Sequence, residues 1–549
     1  MPKRYLRIHP EDNAAIALVD LKQGEQIDLS GAHCVLRSDV SCKHKFALRS
    51  LAPGDAVILY GIVIGKAVTP IRQGELLSTG NTHHDAGAFH PRSKDYVWQA
   101  PPVARWQQRR FLGFVRSDGQ VGTRNYWLVI PLVFCENRNV SVLKQAFEEE
   151  LGFAPPPRYR REVAELVRLL GDGKLEDIRH GAAREHFALA DRQPVFRNID
   201  GIKFLLHSGG CGGTREDATS LCGLLAGYIH HPNVAGATIL SLGCQNAQVA
   251  ILRHELEKRN PNLNKQLLIF DQQASGTESA MLSQALRETF LGLVAATQAT
   301  RTPTPLSHLT VGLKCGGSDG FSGISANPAV GHVADLIAAL GGKTLLAEFP
   351  ELCGVEQSLI DRCLRKQDED RFVGLMRAYA ERAKAVGSAL EMNPSPGNIR
   401  DGLITDAMKS AGAARKGGTS PITAVLDYPE YATASGLNLL CTPGNDVEAV
   451  TAQVGAGANV VLFTTGLGTP TGNPIAPVVK ISSNSELARR MPDIIDVDAG
   501  PIVRGESSVE EIGQSILDLV VQVASGEIHT KAELLAQDDF IPWKRGISL

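Results

Sequence analysis

The chain has 549 residues, room for about three or four domains and enough core to fold without disulfide staples. Its 56 Lys and Arg against 59 Asp and Glu leave a formal charge of −3, which gives no case for nucleic acid, a membrane surface or a polyanion as partner. Glycine is frequent, at 54 residues, and aromatics make up only 5%, so tight turns are expected and stacked-base binding is disfavoured.

Ten cysteines in this length are ordinary usage and no disulfide scaffold. At the basic N-terminus, Glu11, Asp12 and Asn13 interrupt the chain before an apolar core forms, so no signal peptide is expected. No stretch reaches the roughly 18 apolar residues of a membrane span. The expected compartment is a reducing cytoplasm, where cysteines serve as thiols or metal ligands.

Residues 1–90 read as a small β-rich domain. Short runs such as YLRI, AAIALVD, HCVL, AVILYG and IVIGKAV alternate with Gly, Pro and Asp turns. Residues 91–110 hold scattered Pro and charge and form the linker candidate. From 111 to 300, apolar runs alternate with helical stretches: YWLVIPLVFC, FLLHSGGC and ATILSLGC each precede an amphipathic segment. The charged stretch from about 157 to 187 suits one or two solvated helices. A break near 299–308 divides this unit from a third, 301–549, with LTVGLKC, KTLLAEF, LNLLCTPG, ANVVLFTTG, PVVKISS and IIDVDAG. Continuous apolar strands between helices predict an α/β fold with parallel sheets.

Cys135, Cys211, Cys244 and Cys315 each end an apolar run. In a parallel sheet the carboxyl ends of the strands form the ligand crevice. Four thiols at that edge point to a soft-ligand iron site, either mononuclear Fe(II) or an iron–sulfur cluster, although no CxxC signature stands behind either. The other six cysteines lack such placement. His207, four residues before Cys211, reads as a metal ligand or general base. His83, His84 and Asp85 form a second His/Asp cluster that suits a divalent metal or a plain polar loop.

The block CGGSDGFSGISANPAVG (315–331) offers backbone N–H groups, short hydroxyls, Asp319 and Asn327, a composition that grips a carboxylate or several hydroxyls. Ser318 and Asp319 are its leading substrate contacts. No Walker lysine loop or dinucleotide fingerprint is present, which argues against ATP and NAD. Arg124 and Asn125 precede a strand and suit a carboxylate fork. His44 and Lys45 form a possible acid–base pair. Glu348 and Glu351 read as structural more readily than as ligands or base.

At IHPEDNAAIAL, KHKFAL, FVRSDGQVGTRN, HPNVAGATILSLGCQNAQ, CGGSDGFSGISANPAVG, NPSPGN, GLNLLCTPGNDV and TTGLGTPTGNP, the chain resembles the altronate/galactarate dehydratase family of sugar-acid hydro-lyases, nearly end to end. The resemblance implies an N-terminal SAF-type domain and a two-part catalytic body. It implies iron-dependent dehydration of a hexonic or hexaric acid to a 2-keto-3-deoxy acid, with Mn2+ as the alternative ion. KFAL, GLNLL and GNDV favour altronate over galactarate, and sulfolactate sulfo-lyase is a related activity.

The expected ligand set is a subset of Cys135, His207, Cys211, Cys244 and Cys315. Arg124, Asn125, Ser318, Asp319 and Asn327 would hold the sugar acid, and His44, Lys45 or His207 would move protons. A sugar-acid-binding regulator without turnover is the alternative of another class. A homo-oligomer, with a dimer as default, is expected.

Overall fold

The computed structural model describes residues 3–29, 32–154, 158–180 and 194–548. The N-terminal unit consists of short antiparallel strands. Tyr5–Leu6, Ala14–Ala17 and Lys45–Ala47 pair, as do Gln26–Leu29 with Ala32–Val35, and Ala56–Leu59 with Ile62–Ala67 and Thr82–His83. One cluster of its apolar side chains, with Ile27, Leu36, Val40 and Phe46, is its own, but the rest pack on the C-terminal body. Ile16 and Leu18 pack on Phe321 and Ile324, while Leu59 and Ile64 pack with Leu403, Ala407 and Met408.

The linker segment holds one helical turn, Ala104–Gln107, and is pinned to the C-terminal body. The Tyr96 hydroxyl donates to the Thr419 carbonyl at 2.7 Å. The break at 299–308 contains a strand, Thr302–Pro305, antiparallel to Arg110–Val115. Pro303 and Pro305 fit there because it is an edge strand, which needs only part of its N–H groups.

The second unit carries a four-stranded parallel sheet of β1 (Tyr126–Pro131), β2 (Gly201–Phe204), β3 (Val234–Ser241) and β4 (Gln266–Asp271), in the order β2-β1-β3-β4. The charged stretch forms helices Arg158–Gly171 and Leu175–Arg179; its remainder, from 181, lies outside the described residues. The third unit holds a seven-stranded parallel sheet of β5 (Thr310–Cys315), β6 (Lys343–Leu346), β7 (Ile422–Leu426), β8 (Gly436–Leu440), β9 (Val460–Thr465), β10 (Val478–Ser482) and β11 (Val497–Asp498). Their order is β7-β8-β6-β5-β9-β10-β11. Strands β4 and β7 are absent from the sequence reading. Both are edge strands, and the half-buried QLLIFD of β4 lacks the continuous burial that marks the central ones.

The two α/β units share one core, in which Leu128, Leu225 and Tyr228 meet Val450, Phe463 and Ile475. Helices Arg215–His230 and Asp446–Gly455 cross where Gly227 faces Gly455; a Cβ on Gly227 would lie 2.1 Å from the Gly455 carbonyl oxygen. Residues 530–548 strap the units together. Lys203 reaches Asp538 at 2.8 Å, and Arg545 Nη1 donates to Asp427 at 3.0 Å. No helix among the described residues is long and apolar enough to cross a membrane.

The strap's anchor is Glu533, which takes a two-pronged grip from Arg124 at 2.7 and 3.0 Å. Burial disfavours the Glu533 charge, but Arg124 outweighs it and holds the carboxyl at about 2. The folded value is therefore depressed below the ordinary 4.5. Its stabilisation is complete above that value and is lost as pH falls toward about 2. Replacing Glu533 by Gln leaves Arg124 buried without its countercharge and should cost about 3–5 kcal/mol near neutrality. The deficit against wild type should shrink through the acid window, as read by urea denaturation at a series of pH values.

Candidate active site

Strand β5 sends the chain to β6 on one side, while β9 lies against its other side. The carboxyl ends of β5 and β9 therefore form a topological switch point, where an open parallel sheet leaves its crevice. A cavity of about 730 Å³ opens there. Ser318, Glu351, Asn393, Ser395, Asn398, Lys409 and Asp446 supply its polar wall, and Leu390, Met392 and Leu467 are among its apolar members.

Beneath the wall lies a buried charge cluster. Lys314, in β5, contacts Glu348 and also reaches Asp446 at 2.9 Å. Lys416 Nζ stands 2.6 Å from Cys315 Sγ and 3.0 Å from Glu348 Oε2. Lys409 Nζ pairs with Glu351 at 2.9 Å. Cys315 Sγ lies 3.3 Å from Glu351 Oε2. Lys314, Glu348 and Lys416 are all essentially inaccessible to solvent. Glu348 has φ of 69°, a left-handed backbone that costs a non-glycine residue of order 1–3 kcal/mol. The Thr442 hydroxyl accepts its N–H at 2.9 Å.

These partners decide the protonation states. Burial opposes the Glu351 charge, but Lys409, Lys314 and Lys416 overcome it and hold the carboxyl at about 2. Burial and the neighbouring Glu351 push Glu348 up, against Lys314 and Lys416. Burial, then Glu351, push the Cys315 thiol up to about 12 despite Lys416. Burial also works against the charges of Lys409 and Lys416, yet their anionic partners keep both above the ordinary lysine range.

Cys315, Glu348 and Glu351 can hold a metal ion. Their ligand atoms all lie within 4.8 Å of one another, and among the described residues no other set of three or more His, Cys, Asp or Glu does this. One sulfur and two carboxylate oxygens form a mixed donor set suited to a divalent first-row metal.

The structure divides the residues singled out from sequence. Ser318 lines the cavity. Asp319 lies just behind it, fully buried. Its oxygens accept from the Ser483 hydroxyl at 2.7 Å, the Ser322 hydroxyl at 2.9 Å and Asn484 at 3.1 Å, and Lys43 stands 3.1 Å away. Gly466 must be glycine here, since a Cβ would fall 2.3 Å from the Asp319 carboxyl carbon. Asp319 thus organises the loop and ties it to the N-terminal unit. Asn327 is also interior, bonded to Thr464 at 2.6 Å and to the Gly412 carbonyl at 3.0 Å.

Lys45 is buried, donates to the Gly402 carbonyl at 2.6 Å and is held down to about 7 by burial. His44 beside it is half-buried, with Nδ1 3.2 Å from the Cys42 carbonyl. Neither residue lines the cavity.

Arg124 and Asn125 precede β1, at the edge of the sheet opposite its carboxyl ends. Both are fully buried. The Arg124 fork is filled by Glu533, and Asn125 Nδ2 donates to the Asn198 and Ala296 carbonyls at 2.7 and 3.2 Å. Neither presents a grip to a ligand. His207 has both ring nitrogens on the main chain: Nε2 lies 2.7 Å from the Pro131 carbonyl and Nδ1 accepts from Gly209 at 3.1 Å. Burial lowers it to about 4, so it is a neutral structural imidazole with no lone pair left for a metal. Cys135, Cys211 and Cys244 lie in the segments that follow β1, β2 and β3 of the four-stranded sheet, whereas Cys315 ends β5 of the seven-stranded one. The five residues from which a ligand subset was expected are therefore divided between the two sheets.

Sequence reasoning missed Lys314, Lys409, Lys416 and Asp446. One signal was available. Lys314 interrupts TVGLKC, every residue of which is buried as strand β5, and a lysine in such a strand demands a buried countercharge.

Three family models cover the chain: the altronate/galactarate dehydratase SAF domain over residues 3–85, the D-galactarate dehydratase/altronate hydrolase second domain over 113–297, and the D-galactarate/altronate dehydratase C-terminal domain over 306–548. The chain belongs to the altronate/galactarate dehydratase family and is a sugar-acid hydro-lyase. It is 32% identical to the altronate dehydratase of Bacillus subtilis (strain 168) over 549 residues, the whole of both chains. It is 33% identical to the altronate dehydratase of Escherichia coli (strain K12) over 529 residues, covering 95% of this chain and 96% of that one. With the galactarate dehydratase (L-threo-forming) of E. coli K12 it shares 29% over 535 residues, covering 96% and 94%.

Replacing Lys314 by Met strands Glu348 and Asp446 without their nearest cation. The expected loss is about 3–5 kcal/mol, measured by urea denaturation. The matching change at Lys22, whose pair with Asp39 is exposed, should leave stability near wild type.

Proposed function

We propose that the chain dehydrates D-altronate to 2-dehydro-3-deoxy-D-gluconate and water, with catalysis in the 730 Å³ cavity at the ends of β5 and β9. The observation that carries this is the meeting of Lys409 and hydroxyl- and amide-bearing side chains on one wall, directly above the Cys315–Glu348–Glu351 group. Full-length similarity to two altronate dehydratases, at 32–33% identity, supports altronate ahead of galactarate.

The C2 hydrogen of a 2,3-dihydroxy acid is weakly acidic, so its removal needs a base and a cation for the charge that builds on the carboxylate. Lys409 lines the cavity with its ammonium, which Glu351 keeps protonated; it neutralises the substrate carboxylate and the enolate charge that follows. Ser318, Ser395, Asn393 and Asn398 orient the hydroxyls. Asp446, the cavity-lining carboxylate outside the metal-ligating group, accepts the C2 proton. Cys315, Glu348 and Glu351 would hold Fe2+, or Mn2+ in its place, and the bound ion would supply Lewis-acid assistance to loss of the C3 hydroxyl. The enol left behind tautomerises to the keto acid.

Anaerobically purified protein, loaded with Fe2+, should convert altronate to 2-keto-3-deoxy acid and leave galactarate and sulfolactate largely untouched. Product from galactarate alone would overturn the substrate assignment, and product from none of the three acids would favour a sugar-acid-binding regulator. Chelation should abolish turnover, and iron or manganese should restore it. Replacing Lys409 by Met should lower kcat by roughly 10²–10³ without preventing folding, as followed by circular dichroism.

A further inference from the structure

Cys135, Cys211 and Cys244 follow β1, β2 and β3, three neighbouring strands of one parallel sheet. All three are free and exposed, in a chain whose ten cysteines are all unpaired. Free cysteine ordinarily behaves as a small buried hydrophobe, so packing does not account for exposed thiols on three adjoining loops. The loops are interlocked through their main chains: Phe134 N donates to the Gly209 carbonyl at 3.0 Å, and Ala247 N to the Gly210 carbonyl at 3.0 Å. Asn137 Nδ2 reaches the His207 carbonyl at 2.9 Å.

Cys211 stands between Gly210 and Gly212, with φ of 100° and 65°, a backbone glycine adopts without strain. A Cβ on Gly210 would fall 2.5 Å from the Leu132 carbonyl oxygen, so this loop is pressed against the one that carries Cys135. The Cys244 sulfur accepts from Gln273 Nε2 at 3.3 Å.

The spacing argues against a single ion held by all three thiols. The three sulfurs are not all within 4.8 Å of one another, a closeness that among the described residues belongs to the Cys315 group alone. A single tetrahedral ion, with sulfur ligands at about 2.3 Å, draws its thiolates closer than that. A polynuclear cluster distributes its cysteines over separate irons, and an all-sulfur donor set selects such soft centres.

We propose that Cys135, Cys211 and Cys244 hold a four-iron iron–sulfur cluster, giving up their protons to bind it and leaving one iron to a ligand from outside the chain. That ligand would enter through the cavity of about 370 Å³ bordered by Cys211, Phe134, Asn246 and Lys544. The site is separate from the Cys315 group and does not depend on the mechanism assigned there.

The test uses the full chain, purified anaerobically and incubated with ferric iron, sulfide and dithiothreitol, the dithiol supplying the two electrons that take four ferric ions to the mixed-valence cluster. The expected result is about four irons and four acid-labile sulfides per chain, with broad visible charge-transfer absorption and a paramagnetic resonance signal on reduction. Replacing Cys211 or Cys244 by Ala should remove sulfide and absorption, while Cys315→Ala should keep both. Iron uptake without sulfide, or a cluster that survives loss of Cys211 and Cys244, would overturn the assignment. A second measurement needs no variant. Iodoacetamide labelling read by mass spectrometry should modify the three thiols before reconstitution and spare them afterwards, and equal labelling in both states would also overturn it.

Discussion

Three lysine ammonium groups set against two glutamates and a thiol, all at the carboxyl end of one central strand, are the constraint on which the catalytic body depends. Each charge is expensive to bury, and none can be removed without stranding another. Lys314 enters from β5, Glu348 and Glu351 from the turn after β6, and Lys409 and Lys416 from the segment leading to β7. The cluster therefore fixes where three separate connections end. It also holds Glu348 in a left-handed conformation that its sequence would not choose. The result is a preorganised wall in which Lys409 is cationic and Glu351 anionic before any ligand arrives.

A second layer of buried charge joins the domains to that wall. Asp319 turns the glycine-rich loop after β5 inward, and Lys43 of the N-terminal unit meets it at 3.1 Å and Asp401 at 2.8 Å. The small β-rich domain is thus bound to the loop whose preceding residue, Ser318, lines the cavity. Arg124 and Glu533 do the same at the other end of the molecule, where the C-terminal strap closes over both α/β units. Residues with the look of a carboxylate grip have been spent on assembly, and the grip itself comes from elsewhere.

The parallel sheets and the central strands were legible in sequence because their cues are local. Continuous apolar runs mark buried strands, and Gly, Pro and Asp mark turns. Edge strands β4 and β7 escaped, since half-exposed strands blur the hydrophobic pattern. Thr302–Pro305 escaped because its prolines read as a break. At the site, the glycine block after β5 and the thiol at its head were visible, and Ser318 does line the cavity. The lysines were not. Lys409 and Lys416 lie in a segment of ordinary composition, and nothing nearby in sequence signals that they will face carboxylates some sixty residues away.

Sequence by itself determined the family and the α/β class with its parallel sheets, because these depend on periodicity and on motifs contiguous along the chain. Only the tertiary structure decided which cysteines belong together. Strand order puts Cys135, Cys211 and Cys244 after strands of one sheet and Cys315 at the end of a strand of another, and no local pattern encodes that order. It likewise decided that Arg124 and His207 are structural while Lys409 and Glu351 face the cavity. The reason is physical: a polar side chain acquires its role from the partner that satisfies it after burial, and for these residues that partner comes from a distant part of the chain or from another main-chain loop.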